Sequence, residues 1–442
     1  MESVQLFIGN LVHSTTPEQI TCIPKGIIAV YQGKIIAIEE TMDVDKVKQQ
    51  LRITEAQELW LNEGQFLIPG FVDAHTHASQ FPNLCLGLDK PLLDWLDSYT
   101  FPLESKYEDE VFASKVYSAV VERTLSVGST TAVYFATIHN KSSIQLAKIA
   151  SVGGQRAFVG KVNMNMNAPK YYCEDSEQSI RDTETFIEAV LQLKDPLVQP
   201  IVTPRFAITC DGKLLSELGK LVQKYNLHVQ THISENNEEV EKIKELFPEC
   251  KHYADVYEKA KLLGRKTILA HGVLLKPDEI KLIKDRECSV IHCPSSNTFL
   301  HSGQCNVRNL LKAGVNVALG TDIAGGSQPS ILDAIRSALT TSIHLVFSGD
   351  NSLPLTYHEA FYLATMGGAI ALDLEDTIGN FTVGKDFDAL LVDLNSNDSP
   401  IDVLKELNLL EMVQKFLYLG DDRNIQQVYV KGRLIRKRQC NN

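Results

Sequence analysis

Residues 71–77 read FVDAHTH, a short apolar run that ends in two histidines. In an extended strand alternate side chains point to the same face, so His75 and His77 can reach one metal ion together. A single His-x-His pair is a weak signal. It becomes strong if other apolar runs of the chain also end in metal ligands, because such ends meet at one edge of a parallel sheet.

Eight apolar, strand-like runs can be counted along the middle of the chain, and helical patterns fill most of the gaps between them. The runs are Phe71–His77, Thr130–Phe135, Arg156–Val162, Val198–Phe206, His228–Ser234, Thr267–Gly272, Ser289–Ser296 and Asn316–Asp322. The helical gaps are Glu108–Val127, Ser179–Leu193, Lys213–Tyr225, Glu238–Phe247 and Pro277–Arg286. Eight such units, with strands too apolar to face water, predict an α/β protein with a closed (β/α)8 TIM-type barrel. An open doubly wound sheet is the alternative.

Both ends of the chain are rich in strand patterns and contrast with the alternating middle. Near the N-terminus these are Gln5–Val12, Gly26–Glu40 and Gln65–Ile68, and near the C-terminus they are Phe387–Val392 and Gln426–Ile435. Two such ends pair most simply with each other. We therefore predict a small composite β-sandwich from residues 1–68 and 381–442, and a barrel from residues 69–380.

Polar side chains follow six of the eight apolar runs. They are His75 and His77, Arg205, His232, His271, His292 and Asp322. In a parallel barrel the functional residues lie at the carboxyl ends of the strands, so these side chains are expected to converge there. Three imidazoles and one carboxylate, from His75, His77, His232 and Asp322, suit Zn²⁺ with one position left for water. Iron or manganese would fit the same donors.

Composition excludes several other classes of protein. The formal net charge is -12, so we expect no sequence-independent binding to nucleic-acid phosphate. No apolar run approaches the ~18 residues that a membrane span needs, and no secretory signal is visible. The nine cysteines are irregularly spaced without a Cys-x-x-Cys pair, as is usual for reduced thiols. These features predict a cytoplasmic location.

Specific motifs resemble the amidohydrolase superfamily, and within it the branch that deaminates guanine. The superfamily pieces are FVDAHTH at 71–77 and GTD at 320–322, and the branch pieces are ASQ at 78–80, PRF at 204–206 and LGDDR at 419–423. The resemblance spans nearly the whole chain. It implies the barrel with a flanking sandwich, one zinc ion per chain held by His75, His77, His232 and Asp322, and a homodimer.

The same resemblance implies roles for individual residues. Glu235, His271 and Asp322 are expected to be catalytic. Substrate contacts are expected from His77, Gln80, Arg205, Phe206, His232, Glu235 and Asp322. The implied reaction turns guanine and water into xanthine and ammonia, with a zinc-bound hydroxide attacking C2 while Glu235 protonates N3.

Donor and acceptor types indicate how a purine would be recognised. Arg205 offers only hydrogen-bond donors, so it fits the O6 or N7 acceptors of guanine. Gln80 offers both a donor and an acceptor. Three of the candidate residues also have a structural alternative. Glu235 would be an acid in the first turn of the next helix, and His271 and Phe206 would be buried core residues without a catalytic or binding role.

Several other segments leave alternatives open. Lys161 is placed like the carboxylated lysine of binuclear amidohydrolases, but the resembling branch uses one metal, so we expect only a charged residue near a strand end. Residues 79–106 are either a packing helix or a lid over the pocket. Helical runs at Ile331–Leu345 and Tyr357–Leu374 could form the dimer interface. His139 and His292 are candidates only for orienting ligands.

Two other functions compete with guanine deamination. One is a related amidohydrolase that deaminates or dechlorinates another heterocycle, and the PRF motif argues against it. The other is a metal-free scaffold protein of the same fold, which would be expected to have lost metal ligands. All four positions carry ligand residues in this sequence.

Overall fold

A parallel barrel and a mixed sheet make up the fold in the computed structural model, which describes residues 3–438. The N-terminal part forms β1 Val4–Thr16, β2 Gln19–Tyr31, β3 Lys34–Glu39, α1 Val44–Leu51, β4 Ala56–Trp60 and β5 Gln65–Pro69. Strand β4 is missing from the sequence-based prediction. It is short and largely exposed, so it lacks the alternating apolar signal of a half-buried strand.

Eight parallel strands form the barrel, as predicted. They are β6 Phe71–His77, β7 Ser129–Phe135, β8 Arg156–Gly160 with its short continuation β9 Val162–Asn163, β10 Val198–Pro204, β11 His228–Ile233, β12 Thr267–His271, β13 Ser289–His292 and β14 Asn316–Leu319. Neighbours in the chain are also neighbours in the sheet. Every residue of β6 and β7 is buried, which explains their continuous apolar sequences.

The last strand returns to the first, so the barrel is nearly closed rather than an open sheet. Just beyond β14, the backbone N–H of Asp322 donates to the carbonyl oxygen of His75 at 2.9 Å. Gly320 permits this approach, because a Cβ there would lie 2.8 Å from the Cβ of His75. The closure therefore brings the first and last predicted metal ligands side by side.

Helices fill the connections around the barrel. They are α2 Leu92–Trp95, α3 Phe101–Glu104, α4 Glu110–Ser126, α5 Asn140–Gly153, α6 Ser176–Leu191, α7 Gly212–Tyr225, α8 Asn237–Leu246, α9 Tyr253–Lys259, α10 Pro277–Asp285, α11 Pro294–Phe299, α12 Val307–Lys312, α13 Ile331–Phe347, α14 Tyr357–Tyr362 and α15 Gly368–Ala371. Aspartate side chains cap the first turns of α4, α6 and α7 from Asp109, Asp175 and Asp211. All five predicted helical gaps contain helices.

Five predicted strands end one to four residues earlier than the sequence pattern suggested. The seventh run was expected to continue to Ser296, but β13 ends at His292 and α11 begins at Pro294. Proline at the first helical position favours this switch. Arg205 and Asp322 likewise lie just beyond the strands that carry them, so the functional side chains sit in loops supported by rigid strands.

The C-terminal segment completes the mixed sheet, as predicted for the two chain ends. It forms β15 Ala389–Asp393, α16 Leu409–Leu419, β16 Ile425–Val430 and β17 Arg433–Lys437, and the strand order is β17-β16-β15-β5-β1-β2-β3 with β4 beside β1. Phe7 and Ile28 share one apolar cluster with Leu391 and Tyr429, so side chains from both ends pack together. The division at residues 68/69 and 380/381 stays a prediction.

The sheet and the barrel are joined at the amino-terminal ends of the barrel strands. Strand β5 ends at Pro69 and β6 begins at Phe71, so one residue connects the two parts. Arg156, the first residue of β8, is buried and donates to both Asp386 and Asp388. None of the helices described is both long and apolar enough to cross a membrane.

Candidate active site

A cavity lies at the carboxyl-terminal ends of the barrel strands. Its walls combine polar residues from the strand ends with apolar residues from the loop segments: His77, Gln80, Leu92, Trp95, Leu96, Arg205, Phe206, His232, Glu235, His271, Leu300, Asp322 and Gly325. This is the end of the barrel at which the strand-end residues were expected to meet.

Four buried side chains converge at the base of this cavity. His75, His77, His232 and Asp322 each offer one ligand atom, and all four atoms lie within 4.8 Å of one another. The Nε2 atoms of His75 and His77 lie 3.1 and 3.3 Å from Oδ1 of Asp322. Ligands about 2.0–2.1 Å from a tetrahedral zinc ion are separated by about 3.3 Å, so this spacing fits a metal centre.

Further contacts orient these ligands. The Nδ1–H of His232 donates to the backbone carbonyl of Arg205 at 2.6 Å, which leaves Nε2 free to face the centre. His77 Nε2 lies 3.2 Å from that Nε2. Asp73 accepts hydrogen bonds from the backbone N–H and the hydroxyl of Thr321, and so fixes the loop that carries Asp322. Two bare imidazole nitrogens this close together suit a shared cation.

The protonation states also fit a metal site. Burial lowers the pKa of His75, lowers that of His77 to about 4, and holds that of His232 well below its usual range. Burial alone would raise the pKa of Asp322, but hydrogen bonds from His75 and His77 outweigh it and lower the pKa well below normal. Neutral imidazoles and an ionised carboxylate are the forms that bind metal.

Glu235 and His271 lie beside this centre. Glu235 Oε2 is 3.4 Å from His271 Nε2, and its Oε1 accepts from the Ser302 hydroxyl at 3.3 Å. Burial, and next the charge of Asp322, raise the pKa of Glu235 well above its usual range. Asn297 Oδ1 accepts from Nδ1–H of His271 at 2.8 Å. Glu235 is therefore placed to hold a proton next to the ligands without being one of them.

The alternative role of Glu235 at the next helix is taken by other residues. The N-cap of α8 is Asn236, and Asn236 and Glu239 form the capping box. The backbone N–H of Glu235 donates to Glu239 Oε2, whereas its side chain points into the cavity. Helix capping thus does not account for the Glu235 carboxylate.

A second group of side chains lines the same cavity. It comprises Arg205, Gln80 and Phe206, from which the sequence predicts substrate contacts. Arg205 is buried and donates to Glu104 at 2.6 Å. Gln80 donates to Glu104 and accepts from the backbone N–H of Ala324. The cavity therefore has a metal-binding base and a polar wall that can read the edge of a flat ring.

Comparison with known proteins agrees with this arrangement. Residues 66–435 match the profile of the amidohydrolase family. The chain belongs to the amidohydrolase family. It is similar to the guanine deaminases of Dictyostelium discoideum, with 43% identity over 98% of each chain, and of Pongo abelii, with 46% identity over 97% of this chain and 96% of that one. The solved structure of guanine deaminase from C. acetobutylicum with bound guanine is 38% identical, with a TM-score of 0.89, and covers 98% of this chain and 100% of that one.

The segment between β6 and α4 of this amidohydrolase covers the cavity. It is a series of short turns that includes α2 and α3, instead of the single amphipathic helix considered from the sequence. Leu92, Trp95 and Leu96 face the cavity, and the Trp95 indole N–H donates to the carbonyl oxygen of Leu86 at 2.9 Å. The segment therefore both packs on the barrel and forms part of the cavity wall.

Sequence reasoning missed several residues that contact the candidate site residues. Glu104, Asn297 and Ser302 lie outside the strand-end pattern that selected the others. The sequence feature that could have indicated Glu104 is its position directly after the apolar residues FPL at 101–103. Only the folded chain shows that this acid is fully buried beside Arg205.

The four-ligand group does not include Lys161, His292, His139 or Cys293. Lys161 is paired with Glu174 at 2.5 Å, as a buried charged residue at a strand end. Burial lowers the pKa of His292 to about 3. His139 lies outside the cavity lining and packs near Tyr172. Cys293 forms a second cluster with His75 and His271, but it shares His75 with the four-ligand group.

Proposed function

We propose that this amidohydrolase is a zinc-dependent guanine deaminase, which converts guanine and water into xanthine and ammonia. The observation that carries the proposal is that Arg205 and Gln80 line the same cavity as three of the four candidate ligands, His77, His232 and Asp322. Full-length similarity to several guanine deaminases supports the same substrate.

His75, His77, His232 and Asp322 would hold the metal. Their three imidazoles and one carboxylate match the donors of a catalytic zinc site with an open position. Iron and manganese accept the same donors, and metal analysis of the purified protein distinguishes them. When bound, the ion lowers the pKa of water from 15.7 towards ~7 and so makes a nucleophile available at neutral pH.

The proton transfers of the reaction are assigned to Glu235 and Asp322. Asp322 accepts the proton that the attacking water loses. Glu235 delivers a proton to N3 of guanine as C2 becomes tetrahedral. The proton held by Asp322 then passes to the departing amine, and Glu235 recovers a proton from the hydroxyl group on C2. His271, whose Nε2 lies near both carboxylates, donates or accepts a hydrogen bond at the oxygen that develops on C2.

The polar wall binds the opposite edge of the purine. The Arg205 guanidinium donates to O6 or N7, which guanine offers as acceptors, and disfavours the 6-amino group of adenine. Gln80 retains one N–H and one lone pair beyond its protein contacts, and these bind the neighbouring ring atoms. Phe206 covers one face of the ring.

Ammonia release from guanine, adenine, cytosine and melamine tests this function. The expected result is rapid release from guanine alone, loss after chelation, and recovery on addition of zinc. Purified protein should contain about one ion per chain. A preference for another base would favour a different heterocycle, and a metal-free, inactive protein would favour a scaffold role.

We also propose a homodimer in the cytoplasm. Ile343 and Phe347 at the end of α13 are exposed, and Phe347 is 78% exposed, which favours burial against a second copy. The second predicted interface helix packs mainly inside the chain, since residues 363–369 are buried. Light scattering on the wild type and on Phe347→Asp tests the assembly, and a monomeric wild type would overturn it.

A further inference from the structure

Glu104 is a completely buried acid at the end of α3, and nothing in the proposed reaction uses it. Its two carboxylate oxygens accept four hydrogen bonds. Oε1 accepts from the Ser79 hydroxyl at 3.3 Å and from Nε2 of Gln80 at 3.0 Å. Oε2 accepts from the Tyr172 hydroxyl at 2.8 Å and from Nη1 of Arg205 at 2.6 Å. A buried carboxylate with this number of donors is held in one place.

The first consequence concerns the direction of the Arg205 side chain. Its guanidinium lies over the ring of Phe101 at 5.3 Å, and Glu104 binds Nη1. Both partners belong to α3. Within residues 3–438, Glu104 is the one acceptor that the guanidinium contacts by a hydrogen bond. Since a guanidinium carries five N–H donors, most of them remain for a ligand in the cavity that Arg205 lines.

The second consequence concerns the amide of Gln80. The Glu104 carboxylate can only accept hydrogen bonds, so the NH₂ group of Gln80 must face it. The backbone N–H of Ala324 can only donate, and it does so to Oε1 of Gln80 at 3.2 Å, so the amide oxygen must face Ala324. These two partners fix which way the amide faces, and therefore which donor and which lone pair remain for a ligand.

We propose that Glu104 is a positioning residue that sets purine selectivity, by holding Arg205 and Gln80 in the single arrangement that recognises a 6-oxo purine. The proposal rests on the proposed deamination of guanine and extends it to a residue of the covering segment. Glu104 does not touch the reacting atoms. It acts through the two side chains that read the ring, and it ties their arrangement to closure of residues 79–106 over the cavity.

Glu104→Gln tests the proposal, because the amide keeps the size of the side chain but removes its charge and supplies N–H groups where acceptors are needed. The substrates are guanine and 2-aminopurine, which carries the same 2-amino group but lacks O6. We expect the ratio of kcat/KM for guanine to that for 2-aminopurine to fall about 10- to 100-fold, with KM for guanine rising more than kcat falls.

Glu174→Gln is the matched control. The Glu174 side chain is only 8% exposed and also accepts from a cationic side chain, Lys161, but it does not line the cavity. The control should retain the wild-type ratio and KM. Tyr172→Phe removes one hydrogen-bond donor to Glu104 and leaves the acid in place. It should lower the selectivity ratio by a smaller factor than Glu104→Gln, and it tests the same proposal if Glu104→Gln fails to fold.

The outcomes separate this proposal from the function on which it rests. A wild type that does not deaminate guanine would overturn both. An active wild type whose selectivity ratio is unchanged in Glu104→Gln and in Tyr172→Phe, even if less protein folds, would assign Glu104 a structural role and overturn only the inference.

Discussion

Two buried arginines at opposite ends of the barrel bind carboxylates in different ways. Arg156 begins β8 and donates to Asp386 and to both oxygens of Asp388, so two acids surround it. Arg205 follows β10 at the other end and, among the residues described, donates to Glu104 alone. Both guanidinium groups are inaccessible to bulk water. One is surrounded by protein acceptors and joins two parts of the fold, whereas the other keeps donors for a ligand.

This difference separates stability from function within one barrel. At the amino-terminal ends of the strands, buried charges neutralise each other and lock the barrel to the mixed sheet. At the carboxyl-terminal ends, imidazoles, carboxylates and a guanidinium remain only partly paired around a cavity. Partly paired buried groups are costly, so their accumulation at one end indicates a binding and catalytic site.

The largest expected effect is at the carboxyl-terminal end. Glu235→Gln should lower kcat by roughly 10² to 10⁴, since an amide cannot exchange the required proton, and should leave the metal content unchanged. Steady-state ammonia release with metal analysis measures both quantities. Full activity in this variant would remove Glu235 from the proton transfers and weaken the contrast between the two ends.

Replacing each of the two arginines by methionine tests this difference directly. Arg156→Met should lower the free energy of unfolding by about 3–5 kcal/mol, because it leaves Asp386 and Asp388 buried without their partner. The folded fraction should keep its kcat and KM. Arg205→Met should raise KM for guanine, and it should also lower the free energy of unfolding because it leaves Glu104 buried without its partner. Denaturant unfolding and kinetics on both variants check this, and a raised KM in Arg156→Met with an unchanged KM in Arg205→Met would contradict the assignment of the two ends.

The smallest expected effect concerns pH and strand β11, which has one histidine near each end. The Nε2–H of His228, at the amino-terminal end, donates to the carbonyl oxygen of Leu372, and burial lowers the pKa of His228 to about 4 from 6.5. Its folded-state pKa is lowered, so its contribution to stability is complete above pH 6.5 and is lost as pH falls towards 4. The slope should reach at most about 1.4 kcal/mol per pH unit.

His228→Asn should flatten that slope without changing activity at neutral pH. Urea unfolding of the wild type and the variant between pH 7 and pH 4 measures the difference. An unchanged slope would show that His228 does not titrate with unfolding, and the remaining acid sensitivity would then belong to other buried groups such as His13.

The prediction from sequence was most complete where periodicity was strong. Continuous apolar runs such as β6 and β7 are buried on both faces, and their polar ends marked His77 and its partners. The prediction was weaker where local conformation follows tertiary contacts. Residues 79–106 have no regular period, and their turns are set by packing over the cavity, so the sequence left open whether they pack or cover the pocket and did not give the position of Glu104.

The amino-acid sequence by itself determined the eight-stranded barrel, the pairing of the chain ends and the residue types that meet at the carboxyl ends of the strands. These follow from the spacing of apolar side chains, which acts over a few residues. The tertiary structure decided which buried charges are fully paired and which remain open to a ligand. The strand-end position of Arg205 predicted a substrate contact, but only distances between residues far apart in the chain show that Asp386 and Asp388 surround Arg156 and that Arg205 pairs with Glu104.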